Sequence, residues 1–74
     1  MGPFNHVHTP VTNVNFPFGP CDQLVCIRDA ANVTVTMANG TTWVQSSWTA
    51  GTKYELRAAK VAFDVGGEFL ALKL

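Results

Sequence analysis

With 74 residues the chain has room for one small domain, and a chain of that size buries only about 60% of its unfolded surface. Its charged content is 14% against 47% hydrophobic, well under the roughly 25% charge of ordinary soluble domains, which points to a surface covered by neighbours. A formal net charge of zero supplies no field to draw nucleic acid or an anionic membrane, and no apolar run reaches the length of a membrane span.

The first 21 residues carry no charged side chain, all four prolines, and three of the five phenylalanines, Phe4, Phe16 and Phe18. A disordered tail is expected to be charged and poor in aromatics. Pro3, Pro10, Pro17 and Pro20 lack the amide donor that a helix or central strand needs. Residues 1–20 therefore read as an extended, semi-stiff arm whose aromatic anchors, with Val14, are expected to fill apolar grooves on adjacent subunits. Residues 21–74 read as the folded β domain.

Leu24–Ile27 is a short apolar strand, followed by a turn over 28–32. Val33 to Met37 alternates, with Val33, Val35 and Met37 on one face and Thr34 and Thr36 on the other. Asn39-Gly40 is a strong hairpin signal, and Thr41 to Gln45 returns as its partner. Ser46 to Gly51 reads as a loop that presents Trp48 to a partner, since aromatics are enriched at interface hot spots. Thr52 to Arg57 alternates with Tyr54 and Leu56 inward, and Val61 to Val65 with Val61, Phe63 and Val65 on one face. Gly66-Gly67 is a second hairpin signal. It leads into a last strand, from Glu68 to Leu74, with Leu70, Leu72 and Leu74 on one face, which places the C-terminus in a sheet or an interface. No segment shows a helical period. About six short strands with frequent turns define an all-β fold, a small antiparallel β-sandwich or barrel-like domain behind an extended N-terminal arm.

Chemistry-bearing residues are few. His6 and His8 form an H-x-H pair that faces one way in an extended segment, but no third ligand stands nearby; they read as polar contacts to a neighbour, and no metal or cofactor is assigned. Cys21 and Cys26, on one strand, would point to opposite faces about 16 Å apart, too far for a disulfide. They read as reduced, with Cys26 in the core. Asp22 and Asp29 fall at strand ends, Glu55 alternates outward between Tyr54 and Leu56, and Asp64 and Glu68 flank the Gly66-Gly67 turn; no hydrolase, phosphate-binding or zinc-protease motif is present, no catalytic residue is assigned, and the chain reads as a non-enzyme. Two sequons, at Asn32 and Asn39, are read as chance matches, because no secretory leader is seen. The reduced cysteines fit a cytosolic site of synthesis.

From Phe16 to Leu74 the order of features resembles small all-β proteins of tailed bacteriophages and gene transfer agents that decorate or cement the head shell or form the base of head spikes. The residues that carry the resemblance are Phe16-Pro17-Phe18, Val33-Thr34-Val35-Thr36, Asn39-Gly40-Thr41, and Ala50-Gly51-Thr52-Lys53-Tyr54-Glu55-Leu56-Arg57. Gly66-Gly67 departs from it, standing where a Thr-Gly-Thr-like turn belongs. The resemblance implies a structural virion protein on the capsid surface that binds the major capsid protein or other virion subunits, as a homo-oligomer, with a trimer favoured. The expected partner-binding residues are Phe4, His6, His8, Val14, Phe16, Phe18 and Trp48. The alternatives are a tail, neck or baseplate component, or a carbohydrate-binding module for host attachment that uses Trp48 and Tyr54.

Overall fold

A computed structural model describes residues 4–74; residues 1–3, with Pro3 of the arm, lie outside the described residues. Seven short strands form: β1 His6–His8, β2 Gln23–Arg28, β3 Ala30–Met37, β4 Thr42–Trp48, β5 Lys53–Tyr54, β6 Ala58–Ala62 and β7 Glu68–Lys73. They make a four-stranded sheet in the order β1-β7-β2-β5 and a three-stranded sheet in the order β4-β3-β6. All pairings are antiparallel. The expected count of six omitted β1, and the arrangement is two sheets, not a closed barrel.

The inner faces of both sheets share one core. Leu24, Cys26, Phe69 and Ala71 enter it from the four-stranded sheet, and Val33, Val35, Trp48, Ala58 and Val61 from the three-stranded one. An aromatic ladder crosses it: Trp48 meets Phe69 at 5.1 Å and Tyr54 at 5.0 Å between ring centroids, and Phe63 meets Phe69 at 5.0 Å. These distances fall in the favourable range for tilted aromatic pairs.

The Asn39-Gly40 hairpin joins β3 to β4 as the sequence predicts. Gly40 holds φ at 92°, and the Asn39 carboxamide oxygen accepts from both the N–H and the hydroxyl of Thr41. The second hairpin does not form. β6 lies in one sheet and β7 in the other, so residues 63–67 carry the chain across the core. Gly67 sits where an added Cβ would come within 2.6 Å of the Ala30 Cβ. Ala30 lies at another crossing between the sheets, where Asp29 alone separates β2 from β3. The turn expected over 28–32 is thus one residue long. These two crossings are tied together by the Asn32 amide, which donates to the Asp64 carboxylate at 2.7 Å, and the Ala50 N–H of the β4–β5 crossing donates to Asp29 at 2.7 Å.

The structure assigns one face and corrects another. Phe69 and Ala71 are the buried residues of β7, and the Leu70, Leu72 and Leu74 face lies outside. Val65 does not share the core face of Val61 and is fully exposed. Both cysteines are buried and free; Cys21 precedes β2, so strand alternation does not send it to the opposite side from Cys26.

The arm folds back on its own chain. The Asn5 N–H donates to the Lys73 carbonyl, and β1 pairs with β7. The chain then crosses to the free edge of β6. Thr12 Oγ1 accepts from the Phe63 N–H and donates to the Phe63 carbonyl. The N–H groups of Asn13, Phe16 and Cys21 donate to the carbonyls of Val61, Ala59 and Ala58. Pro10, Pro17 and Pro20 fall between these donors, where a missing N–H removes no bond. Residues 4–20 thereby close one side of the two-sheet stack and satisfy an edge that would otherwise face solvent.

Candidate interaction face

The outer faces of the two sheets differ in character. On the three-stranded sheet the outward positions include Thr34, Thr36, Thr42, Ser46 and Lys60, with Val44 the main apolar exception. On the four-stranded sheet, alternation turns Val25, Leu70 and Leu72 away from the buried Leu24, Cys26, Phe69 and Ala71. The β1–β7 register sets Val7 beside Leu72, and the β2–β7 register sets Val25 beside Leu70. Ile27, in the β2 bulge, and Leu74, just past β7, extend the patch. Val7 is 59% exposed and Leu74 57%. Among the described residues no element lies across this face.

Polar groups frame the patch. The Arg28–Glu68 pair, 3.3 Å apart, stands at one end with both side chains well exposed, and an exposed pair of this kind adds little stability. Lys53 stands opposite Val25 at the β5 edge and Gln23 opposite Leu72. A six-residue strand at ~3.3 Å per residue and four strands ~4.8 Å apart give a footprint of roughly 300 Å². Apolar patches of about that size on single domains are commonly functional. At about 25 cal/mol per Å², covering it is worth roughly 7 kcal/mol before the costs of association.

The residues expected to bind a partner are distributed differently. Phe16 is 4% exposed and belongs to the core. Phe18 packs partly buried against that core. His8 faces inward, with its ring 6.1 Å from both Phe16 and Phe18, and His6 stands 6.1 Å from Phe18. The two histidines thus share a face, as expected, and that face is occupied by aromatic rings. Among the described residues no cluster of three metal-ligating side chains forms. Phe4 is half-buried, and Val14 is exposed on the arm's turn.

Trp48 ends β4 and is 3% exposed, so it is not a loop residue offered to a partner or a sugar. Asn32, with φ at 52°, breaks the alternation of β3. Ala30 and Val33 are consequently both buried, and Trp48, paired with Ala30, follows it inward. Asn tolerates the left-handed region, a local cue that period-two reading passes over. Among the described residues the Trp48 indole N–H has no partner. Trp43 and Tyr54 pack edge to face at 5.2 Å on the open side between β4 and β5, and Tyr54 keeps 39% of its surface exposed.

Neither thiol is set up as a nucleophile. Burial pushes both up from the usual thiol range, aided at Cys26 by the nearby Asp29 charge. A protonated, enclosed thiol reacts slowly. The cleft of about 370 Å³ at the sheet crossings is lined by Asp29 and Asp64, but each of these carboxylates already accepts the structural hydrogen bond described above.

The outward leucines were visible in the sequence only as one side of an alternating strand. The signal that marks them is that both sides of β7 are apolar, Phe69 and Ala71 on one and Leu70 and Leu72 on the other. A sheet with one solvated face normally shows polar residues on it. Comparison with protein families, curated proteins and solved structures yields no match to this chain.

Proposed function

We propose that this chain is a structural virion protein, a capsid decoration or cement protein that lies on the outer shell and bridges capsid subunits through the outer face of its four-stranded sheet. The observation that carries this reading is the outward apolar patch of exposed Val7, Ile27 and Leu74 with half-buried Val25, Leu70 and Leu72, in a chain with few charges. The resemblance to phage head proteins supplies the partner class, the major capsid protein. The Thr-rich opposite face suits the solvent side of such a subunit. The work is mechanical, and no reaction is assigned.

A patch of this size lies below the roughly 800 Å² per partner of a standard stable interface. One contact is therefore weak. Repetition of the site over a shell, or linkage of two sites in an oligomer, raises overall avidity without new contacts. The arm enters this reading as the element that builds the face, since β1 contributes Val7, and not as a clamp reaching outward.

Co-sedimentation with shells assembled from the major capsid protein made alongside it tests the proposal. Many copies per shell and a raised shell disassembly temperature are expected. Leu72→Lys should remain folded and lose binding. Recovery at six or twelve copies per particle would transfer the protein to a tail, neck or baseplate role. Full binding by Leu72→Lys would remove the sheet face from the mechanism.

A further inference from the structure

We infer that the outer edge of β4 pairs with the same strand of a second copy, across a two-fold axis perpendicular to the sheet. The other three sheet edges carry protection against such pairing. β1 is three residues long and runs toward Pro10. β5 is two residues long and carries Lys53, with Glu55 beyond it. The edge of β6 is covered by Thr12, Asn13 and Phe16 of the arm. Short strands, charges, prolines and covering segments are the usual devices that blunt an edge. Among the described residues β4 has none of them: its seven residues, Thr-Trp-Val-Gln-Ser-Ser-Trp, include no charge and no proline.

Its free hydrogen-bonding groups can be located. The Met37 N–H donates to the Thr41 carbonyl at 2.7 Å. From that closure, alternation makes Val35–Trp43 and Val33–Gln45 the pairs that exchange bonds with β3. The N–H and C=O of Thr42 and Val44 therefore point away from β3. An antiparallel pair centred on Val44 sets that residue against Val44 of the second copy, with Thr42 opposite Ser46. Val44 is 67% exposed in the single chain.

Self-complementarity selects a copy as the occupant. Like meets like along the edge without setting like charges opposite one another, which would destabilise a cross-strand pair. Inner faces also stay aligned across the axis, so the half-buried Trp43 and Tyr54 rims of the two copies come together on the open side. The three-stranded sheet becomes six-stranded. Each copy has one such edge, so the contact closes as a dimer, in place of the trimer that the resemblance favours. Both apolar faces of the four-stranded sheets remain free.

Sedimentation equilibrium of the full chain over a wide concentration range decides this. The expected mass rises from the single-chain 8.0 kDa toward twice that value. Amide exchange at Thr42 and Val44 should slow as the dimer forms. Val44→Pro removes one outward N–H without touching the β3 ladder and should remain at the single-chain mass. If that variant fails to fold, Ser46→Lys, which sets like charges across the axis, should give the same single-chain mass. A wild-type chain that stays monomeric throughout overturns the inference, as does a folded variant of either kind that dimerises like wild type. A dimer lost in Leu72→Lys but kept in Val44→Pro also overturns it and assigns the contact to the four-stranded sheet, whose shell binding is read separately.

Discussion

Phe16→Ala separates an arm that belongs to the fold from one that waits for a neighbour. The ring is 4% exposed, packs edge to face on Phe18 and His8, and sits one residue before the turn that returns the chain to β2. Truncation of a buried Phe costs about 3–5 kcal/mol. At about 0.05–0.15 kcal/mol per residue, 74 residues correspond to a total stability of about 4–11 kcal/mol. The single substitution should therefore remove a large share of stability, and deletion of residues 1–18 should leave no cooperatively folded domain. Urea unfolding followed by tryptophan fluorescence measures the change, with the exposed Val14→Ala as the control expected within about 0.5 kcal/mol of wild type. A loss below about 1 kcal/mol for Phe16→Ala would refute the reasoning, because that value is far under the burial cost. The arm would then be free to act on other subunits.

Gly67→Ala should destabilise by about 1–3 kcal/mol, the usual cost of overpacking, because its methyl would press on Ala30 at 2.6 Å; thermal unfolding reads this, and Gly40→Ala, with open space around it, should show only the strain of its positive φ. Thr12→Val should cost about 0.5–1.5 kcal/mol and speed exchange of the Phe63 amide, whose acceptor is the Thr12 hydroxyl. Burial pushes the Cys21 and Cys26 thiols up, so the folded chain keeps protons that the unfolded chain gives up above about pH 8.5. Stability should be level below that pH and fall as pH rises through the raised thiol range. The alkaline fall should shrink in a Cys21→Ala, Cys26→Ala double variant, and an equal fall in both proteins would reject the thiols as its source.

Local chemistry reads directly from the chain where it acts alone. The Val33 to Met37 alternation and the Asn39-Gly40 turn appear in the structure as read, because side-chain period and turn conformation are set within a few residues. Gly66-Gly67 reads like a hairpin because two glycines permit many turns. Whether the flanking strands pair or separate into different sheets depends on partners far away in sequence: β6 pairs with β3, and β7 with β1 and β2.

The apolar positions of β7 show the same division. Period two separates Phe69 and Ala71 from Leu70 and Leu72, but it cannot say which pair faces the core when both are apolar. Trp48 on the opposite sheet decides that by packing on Phe69 at 5.1 Å, and the leucine side becomes the candidate docking face. The arm is the clearest case. Its composition alone marks it as extended, apolar and in need of cover. Only the folded chain supplies that cover, because the free edges of β6 and β7 come together as an acceptor once residues far apart in sequence have met.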